Sequence, residues 1–169
     1  MRTDPPEDAS ETATLTAYLA FQRETLLLKT EGLTREQMAR TLPPSSMTLA
    51  GLLYHLAYVE ESWSVEDFAG RPAPEPWAGV DWSADPDWEW HAAVDLEPEV
   101  LRERYREACR RTDAIVAATG DLDALSAVPL RNGNRFSLRW MLMHLVEETA
   151  RHAGHADLLR EAVDGVVGE

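Results

Sequence analysis

The chain has 169 residues, of which 44% are hydrophobic and 27% are charged, a composition typical of one folded globular domain. Its formal net charge is −14, so its field repels phosphate backbones and anionic lipids, and we expect neither a nucleic acid nor a membrane as a partner. The acidic N-terminus lacks the basic and apolar regions of a secretion signal, and no apolar run is long enough to span a bilayer. We therefore expect a cytoplasmic protein.

Residues 1–10 are predicted to form a flexible leader, and residues 11–165 a single helical domain. From Thr12 to about Glu31, large apolar residues recur at spacings near three and four, which predicts a first long helix. Gly32 follows at the position where a helix C-cap is expected.

A short helical turn follows the first helix and ends at Pro43 and Pro44, because proline cannot continue a helix. A second long helix is predicted from Thr48, a good N-cap residue, to Gly70, a good terminator. Between them, leucine, valine and tryptophan side chains share one broad apolar face.

The segment from residue 71 to about residue 97 shows no helical periodicity and is predicted to be a long ordered loop. It contains four prolines and four tryptophans, which are Trp77, Trp82, Trp88 and Trp90. The favoured interpretation is that these indole rings cover one side of the helices as packing, and the alternative is a lid over a binding cleft. His91 lies in the same segment and is not assigned as a metal ligand.

Helical periodicity resumes with Pro98 in a first turn, and a third long helix is predicted to about residue 119. After an Asn-Gly turn, Ser137 caps a fourth helix that runs to about Val163, with Gly165 as its stop. Four long helices without any strand alternation predict an all-α fold, specifically a four-helix bundle with the tryptophan-rich loop between its second and third helices.

The fourth predicted helix carries ionisable residues on its core-facing stripe. At 100° per residue one stripe contains Met141, Leu145, Glu148, His152, His155 and Leu159. A buried carboxylate costs several kcal/mol unless it has a partner. Glu148 and His152, four residues apart, are close enough to bind one metal ion, and His55 on the second helix is a candidate third ligand.

Two interpretations of this stripe remain open at the level of residue spacing. In the first, two histidines and one carboxylate hold a metal with open positions for water or substrate, as catalytic sites do. In the second, the histidines are simply hydrogen-bonded and Glu148 and His152 form a buried ion pair.

Other ionisable residues are weaker candidates. His144 precedes Glu148 by one turn and lies either at the site or only on its rim. Arg131 and Arg135 are either a clamp for a substrate carboxylate or, the favoured interpretation, solvated loop charges. Cys109, the single cysteine, excludes an internal disulfide and is expected to be a small buried residue rather than a nucleophile.

Two segments carry the clearest family resemblance: "MTLAGLLYHLAYVEESW" and "SLRWMLMHLVEETARHAGHADLLREAVDG". The resemblance as a whole spans nearly the whole chain. The two segments resemble the DinB/YfiT-like superfamily of metalloenzymes, in particular its DUF664 or mini-circle protein branch. The resemblance implies an up-down-down-up four-helix bundle with a metal bound by one histidine of the second helix and an i, i+4 pair of the fourth.

On this sequence those ligand positions are His55, Glu148 and His152, the same His, Glu, His set as in the related mycothiol-dependent maleylpyruvate isomerases. The His-x-Gly-Gln ending of other members is "HAGH" here, so His155 stands at the usual glutamine position. His155 is thus a candidate fourth ligand or an outer partner that orients the site, and His144 is a second candidate outer partner.

The resemblance implies a metal-dependent transferase or isomerase that uses a low-molecular-weight thiol such as mycothiol on a small electrophilic substrate. Zinc is the favoured metal, with nickel, iron or manganese as alternatives, and a homodimer is a further implication. Two other functions stay open: a non-catalytic metal-binding or stress-response interaction protein, and a non-haem iron oxygenase that uses the two-histidine, one-carboxylate set.

Overall fold

The computed structural model describes residues 2–168, and within that range the secondary structure is helical, without a strand. One isolated antiparallel bridge joins Leu125 to Ser137 just before the last helix. The prediction of an all-α protein is confirmed. In the described range no helix is both long enough and apolar enough to cross a membrane.

The long helices begin and end close to the predicted positions. The α-helices are α1 (Glu11–Lys29), α2 (Arg35–Met38), α3 (Leu49–Glu61), α4 (Trp88–Ala93), α5 (Pro98–Thr119) and α6 (Leu138–Asp164). A π-helix, Ser62–Phe68, continues directly from α3, and a short 3₁₀ turn covers Trp77–Gly79.

Local chemistry explains most of these boundaries. The side chains of Thr48 and Ser137 accept hydrogen bonds from the amides of Gly51 and Trp140, which caps the first turns of α3 and α6. At the other end of α6, Gly165 adopts a left-handed φ of 80°, a conformation that residues with a Cβ rarely adopt.

Helix packing places the polar stripe of α6 against α3. Helix α1 packs mainly on α6, and α3 packs on α5 and on α6. The core between them is made of fully buried leucines and methionines, among them Leu26, Leu52, Leu56, Met141, Leu142 and Leu145. The residues of α3 that face α6 therefore share a surface with the ionisable residues of α6.

The predicted second helix is regular only in its first part. The α-helical hydrogen bonding of α3 ends at Glu61, and the chain continues as a π-helix to Phe68 before Gly70 turns it with a φ of 63°. The first helix also ends earlier than predicted, at Lys29, with Thr30 at its C-cap and Gly32 in the turn that follows. Apolar spacing does not detect a change from α to π hydrogen bonding, because both leave one face apolar.

The tryptophan-rich segment was predicted to be loop throughout, and this is wrong for part of it. It contains the six-residue helix α4 and the 3₁₀ turn of residues 77–79. Fewer than two helical turns are too short to show a periodicity of 3.6 residues, so the pattern could not reveal them.

Candidate metal centre

The packing of α3 on α6 brings together the three predicted ligands, His55, Glu148 and His152. Each offers one ligand atom, and these atoms lie within 4.8 Å of one another. Glu148 Oε1 lies 3.7 Å from His55 Nε2 and 3.4 Å from His152 Nε2. Two imidazole nitrogens and one carboxylate oxygen thus converge on a common point.

The helical register of α6 creates half of this group. Glu148 and His152 are one turn apart on the face that also carries the fully buried Met141 and Leu145. His152 is buried, whereas His55 and Glu148 are partly exposed. The group therefore lies at the edge of the apolar core, where a ligand from solvent can reach it.

The donor set suits a divalent transition metal. Zinc is commonly bound by histidine nitrogens and a carboxylate oxygen, and the same set with open positions also suits iron. The pKa of His152 is lowered to about 4, first by burial and then by the neighbouring His55, whereas Glu148 opposes the shift. His152 is accordingly neutral at physiological pH, which is the form of imidazole that binds metals.

Glu89, a residue of α4, contacts the side of the His55 ring that faces away from Glu148. Its Oε1 lies 3.0 Å from His55 Nδ1, the ring nitrogen on the side away from Glu148. Glu89 is buried, and its Oε2 has no hydrogen-bond partner within the described chain. A carboxylate at Nδ1 favours the tautomer in which Nε2 carries the free lone pair.

Sequence reasoning missed Glu89 because it lies in the segment predicted to be loop. Its contact with His55 spans 34 residues, and such a contact depends on how α4 docks on α3. One signal was present in the sequence: a single acidic residue between Trp88 and Trp90, in a segment expected to pack its indole rings against the helices.

Trp90 is the tryptophan that reaches the site. Its ring stacks on the His55 imidazole with a centroid separation of 4.7 Å. It also packs on Gly51, one turn earlier in α3, where an added Cβ would lie only 2.5 Å from the indole Cε3. The absence of a side chain at position 51 is what allows Trp90 to lie flat beside His55.

The other tryptophans of the segment pack on two tyrosines of α3. Trp77 is buried between Tyr54 and Tyr58, with ring centroids 4.8 and 5.3 Å away, and Trp82 stacks on Tyr58 at 4.6 Å. These contacts are those of the structural cover favoured from the sequence, whereas Trp90 contacts a candidate ligand.

His155 contacts His152 on the side of the ring that faces away from Glu148, and it is not one of the three converging residues. Its Nδ1 lies 3.3 Å from the Nδ1 of His152, the ring nitrogen that does not face Glu148. This geometry is that of an outer partner that orients His152, one of the two roles predicted for His155.

His144 lies in an aromatic cluster at the beginning of α6. Its ring stacks on Trp140 at 5.2 Å and meets the edge of Trp63 at 4.4 Å. Its Nδ1 is 3.9 Å from Glu147, a residue of the outer face of α6. These contacts do not involve His55, Glu148 or His152, which fits the rim position considered for His144.

The remaining candidates lie apart from the group. His91 is exposed and its Nδ1 lies 2.8 Å from Asp85, and Arg131 and Arg135 are exposed. Burial raises the pKa of the Cys109 thiol well above its usual value, and the nearby Glu60 raises it further. A thiol held in its protonated form is a poor nucleophile, as expected for a structural cysteine.

Comparison with known proteins agrees with the resemblance seen in the two sequence segments. A search of curated proteins found no match. The family model described as mycothiol S-transferase matches residues 14–165. The match begins inside α1 and extends past the end of α6. The chain therefore belongs to the mycothiol S-transferase family.

Proposed function

We propose that this protein is a metal-dependent transferase or isomerase that uses mycothiol on a small electrophilic substrate, with His55, Glu148 and His152 holding a divalent metal ion. The observation that carries the metal site is the convergence of two Nε2 atoms on Glu148 Oε1. The family match supports the thiol. We further propose that α1, α3, α5 and α6 form the up-down-down-up four-helix bundle of the DinB/YfiT-like superfamily.

Zinc is the metal we favour. When bound, a divalent ion in such a site deprotonates a coordinated thiol, so that a thiolate is present at neutral pH. A transfer then forms a bond between the thiol sulfur and the electrophilic carbon, breaks the bond to the leaving group and releases the thiol proton. An isomerisation instead adds the sulfur and later eliminates it, so that the thiol is regenerated.

The protein side chains have defined tasks in this proposal. Glu89 accepts a hydrogen bond from His55 Nδ1 and thereby keeps Nε2 directed at Glu148. His155 fixes the ring of His152 in the same way from its Nδ1 side. Trp90 covers one face of the His55 ring and excludes water from it.

Metal analysis combined with a thiol-dependent assay tests this function. Purified protein is expected to contain about one divalent ion per chain, and His152→Ala is expected to lose it together with mycothiol-dependent turnover over a panel of electrophiles. His144→Ala, a histidine of the same helix that packs on Trp63 and Trp140, is the matched control and should keep the metal.

The possible outcomes separate the alternatives. Unchanged metal content in His152→Ala would contradict the site assignment. A stoichiometric metal without any thiol-dependent turnover would favour a metal-binding interaction protein, and iron with substrate-dependent oxygen consumption would favour an oxygenase.

A further inference from the structure

We propose that a pocket of about 510 Å³ beside Trp90 binds the polyhydroxylated part of mycothiol and so selects an uncharged thiol cosubstrate. This proposal rests on the proposed function, because it assigns the cosubstrate of the same site. We call this cavity the Trp90 pocket. It lies between the connection that precedes α3, including Thr41, Ser46 and Thr48, and the residues around α4.

The location of the Trp90 pocket connects it to the candidate metal centre. Trp90 lines the pocket and also stacks on the His55 ring, so a ligand in the pocket lies one indole ring away from a candidate metal ligand. Thr48, another lining residue, caps the helix that carries His55. A thiol whose larger part occupies the pocket would therefore be bound next to the residue that covers His55.

The polar groups of the Trp90 pocket are available to a ligand. Thr41, Ser46 and Asp87 line it, and within the described chain their side chains form no hydrogen bond to another protein group. Hydroxyl groups both donate and accept hydrogen bonds, and a carboxylate accepts them. Such a set is complementary to the many hydroxyls of a sugar joined to a cyclitol, which is the larger part of mycothiol.

The shape and the apolar lining of the pocket fit the same ligand. A volume of about 510 Å³ is within the range of pockets that hold small molecules. Trp90 supplies a flat indole ring on which the C–H face of a sugar ring can stack, and Met47 adds apolar contact nearby.

The charge of the pocket argues against anionic thiols. Among the described residues that line it, none is lysine or arginine, and Asp87 contributes a carboxylate. His91 also lines the pocket, but its Nδ1 is paired with Asp85 at 2.8 Å. The whole chain adds a net charge of −14. A thiol with free carboxylates, such as glutathione, would enter this field with no lysine or arginine to pair with and would compete with Asp85 for His91. N-acetylated mycothiol has no carboxylate to repel.

Calorimetry with a thiol-free probe tests the pocket independently of the metal. The probe is N-acetylglucosaminyl-inositol, the uncharged polyol part of mycothiol, titrated into the full chain with and without zinc. We expect binding in both cases, and we expect glutathione to show no competition for the probe.

The double variant Thr41→Val/Ser46→Ala removes the two exposed hydroxyls of the pocket without touching Trp90. Loss of two hydrogen bonds is expected to weaken binding of the probe, and to raise the KM for mycothiol, about tenfold. The kcat and the metal content should stay unchanged, as should turnover with N-acetylcysteine amide, an uncharged thiol that lacks the polyol. Thr14→Val, on α1, is the matched control and should leave all these values as in the native protein.

The outcomes distinguish this proposal from the proposed function. Native affinity of the double variant for the probe, or no binding of the probe by the native chain, would overturn the pocket even if thiol-dependent turnover is observed. Binding of the probe that the double variant loses, in a protein that holds no metal and shows no turnover, would support the pocket and contradict the proposed function.

Discussion

Helix α3 takes part in two groups of buried or partly buried ionisable side chains, and the carboxylates of the two groups have different partners. The first, which we call the arginine cluster, consists of Glu60 and Glu61 at the C-terminal end of α3 with Arg23, Arg104 and Arg111 from α1 and α5. The second is the candidate metal centre of His55, Glu148 and His152.

In the arginine cluster, each buried carboxylate meets cations of the protein itself. Arg23 donates two hydrogen bonds to Glu60, from Nε at 2.6 Å and Nη2 at 2.7 Å, and both residues are buried. Glu61 accepts from Arg104, Arg111 and the Trp77 indole. Burial raises the pKa of Glu61, and these donors act against that shift.

In the candidate metal centre, the carboxylate faces two imidazoles instead. Glu148 Oε1 points to His55 and His152, while its other oxygen is 3.9 Å from the exposed Arg151. His152, whose pKa is lowered, does not neutralise the carboxylate at physiological pH. The comparison teaches that a buried carboxylate paired with arginines has a structural role. A carboxylate that faces the nitrogens of two histidines instead indicates a site for a cation from solution.

The largest expected effect concerns the arginine cluster. Arg23→Met leaves Glu60 buried without its bidentate partner, and we expect the free energy of unfolding to fall by about 3–5 kcal/mol. Urea denaturation measures it, with the exposed Arg110→Met as control. Adding Glu60→Leu to Arg23→Met should recover most of the loss. If the single variant is as stable as the native protein, the structural role assigned to this cluster is wrong.

Metal removal is expected to have the next largest effect. An ion at one hundred times its dissociation constant stabilises a folded protein by about 2.7 kcal/mol, which for a chain of this size raises Tm by about 5–10 °C. Thermal denaturation with zinc and with a chelator measures this shift. Glu148→Gln should abolish the shift, and its neighbour Glu147→Gln, on the outer face of α6, should preserve it. Equal shifts in the two variants would argue against Glu148 as a ligand.

A smaller effect is expected from the outer partner of His55. Glu89→Gln keeps a hydrogen-bond acceptor near Nδ1 but removes the negative charge, and we expect zinc affinity to fall about 10- to 100-fold. Competition with a chromogenic chelator measures the affinity. Asp95→Asn, an exposed acid that follows α4, serves as the control. Unaltered affinity in Glu89→Gln would mean that Glu89 only fills space beside His55.

The smallest effect is expected at an exposed ion pair. Arg139, at the start of α6, pairs with Glu11 at 2.6 Å and with Asp123, all in contact with solvent. Solvent screening leaves such pairs with little net stabilisation, so Arg139→Gln should lower Tm by no more than about 3 °C, and less at high salt. A loss comparable with that of Arg23→Met would show that burial is not what separates the arginine cluster from surface ion pairs.

Much of the helical architecture could be predicted from the sequence because it depends on neighbouring residues. Apolar spacing and capping residues such as Thr48 and Ser137 located the long helices to within a few residues. They could not locate α4 or the π-helix, because α4 is too short for a periodic signal and the π-helix has the same kind of apolar face as α3.

The candidate site, like the fold, could be predicted from the sequence only in part. The i, i+4 spacing of Glu148 and His152 on one apolar stripe follows from helix geometry alone, so the sequence by itself determined that these two side chains meet. The place of His55 opposite them was only a hypothesis from the sequence, and the role of all three as metal ligands stays a prediction until a metal is measured.

Contacts between distant segments were decided only by the tertiary structure. They include the carboxylate of Glu89 behind His55, the indole of Trp90 on Gly51 and the pairing of Arg23 with Glu60. Each joins residues at least 34 positions apart, and no local pattern encodes the docking of α4 or α1 on α3. Sequence periodicity determined which face of each helix is buried. The packing of those faces determined that Glu60 is paired with Arg23, and that the imidazoles of His55 and His152 converge on Glu148.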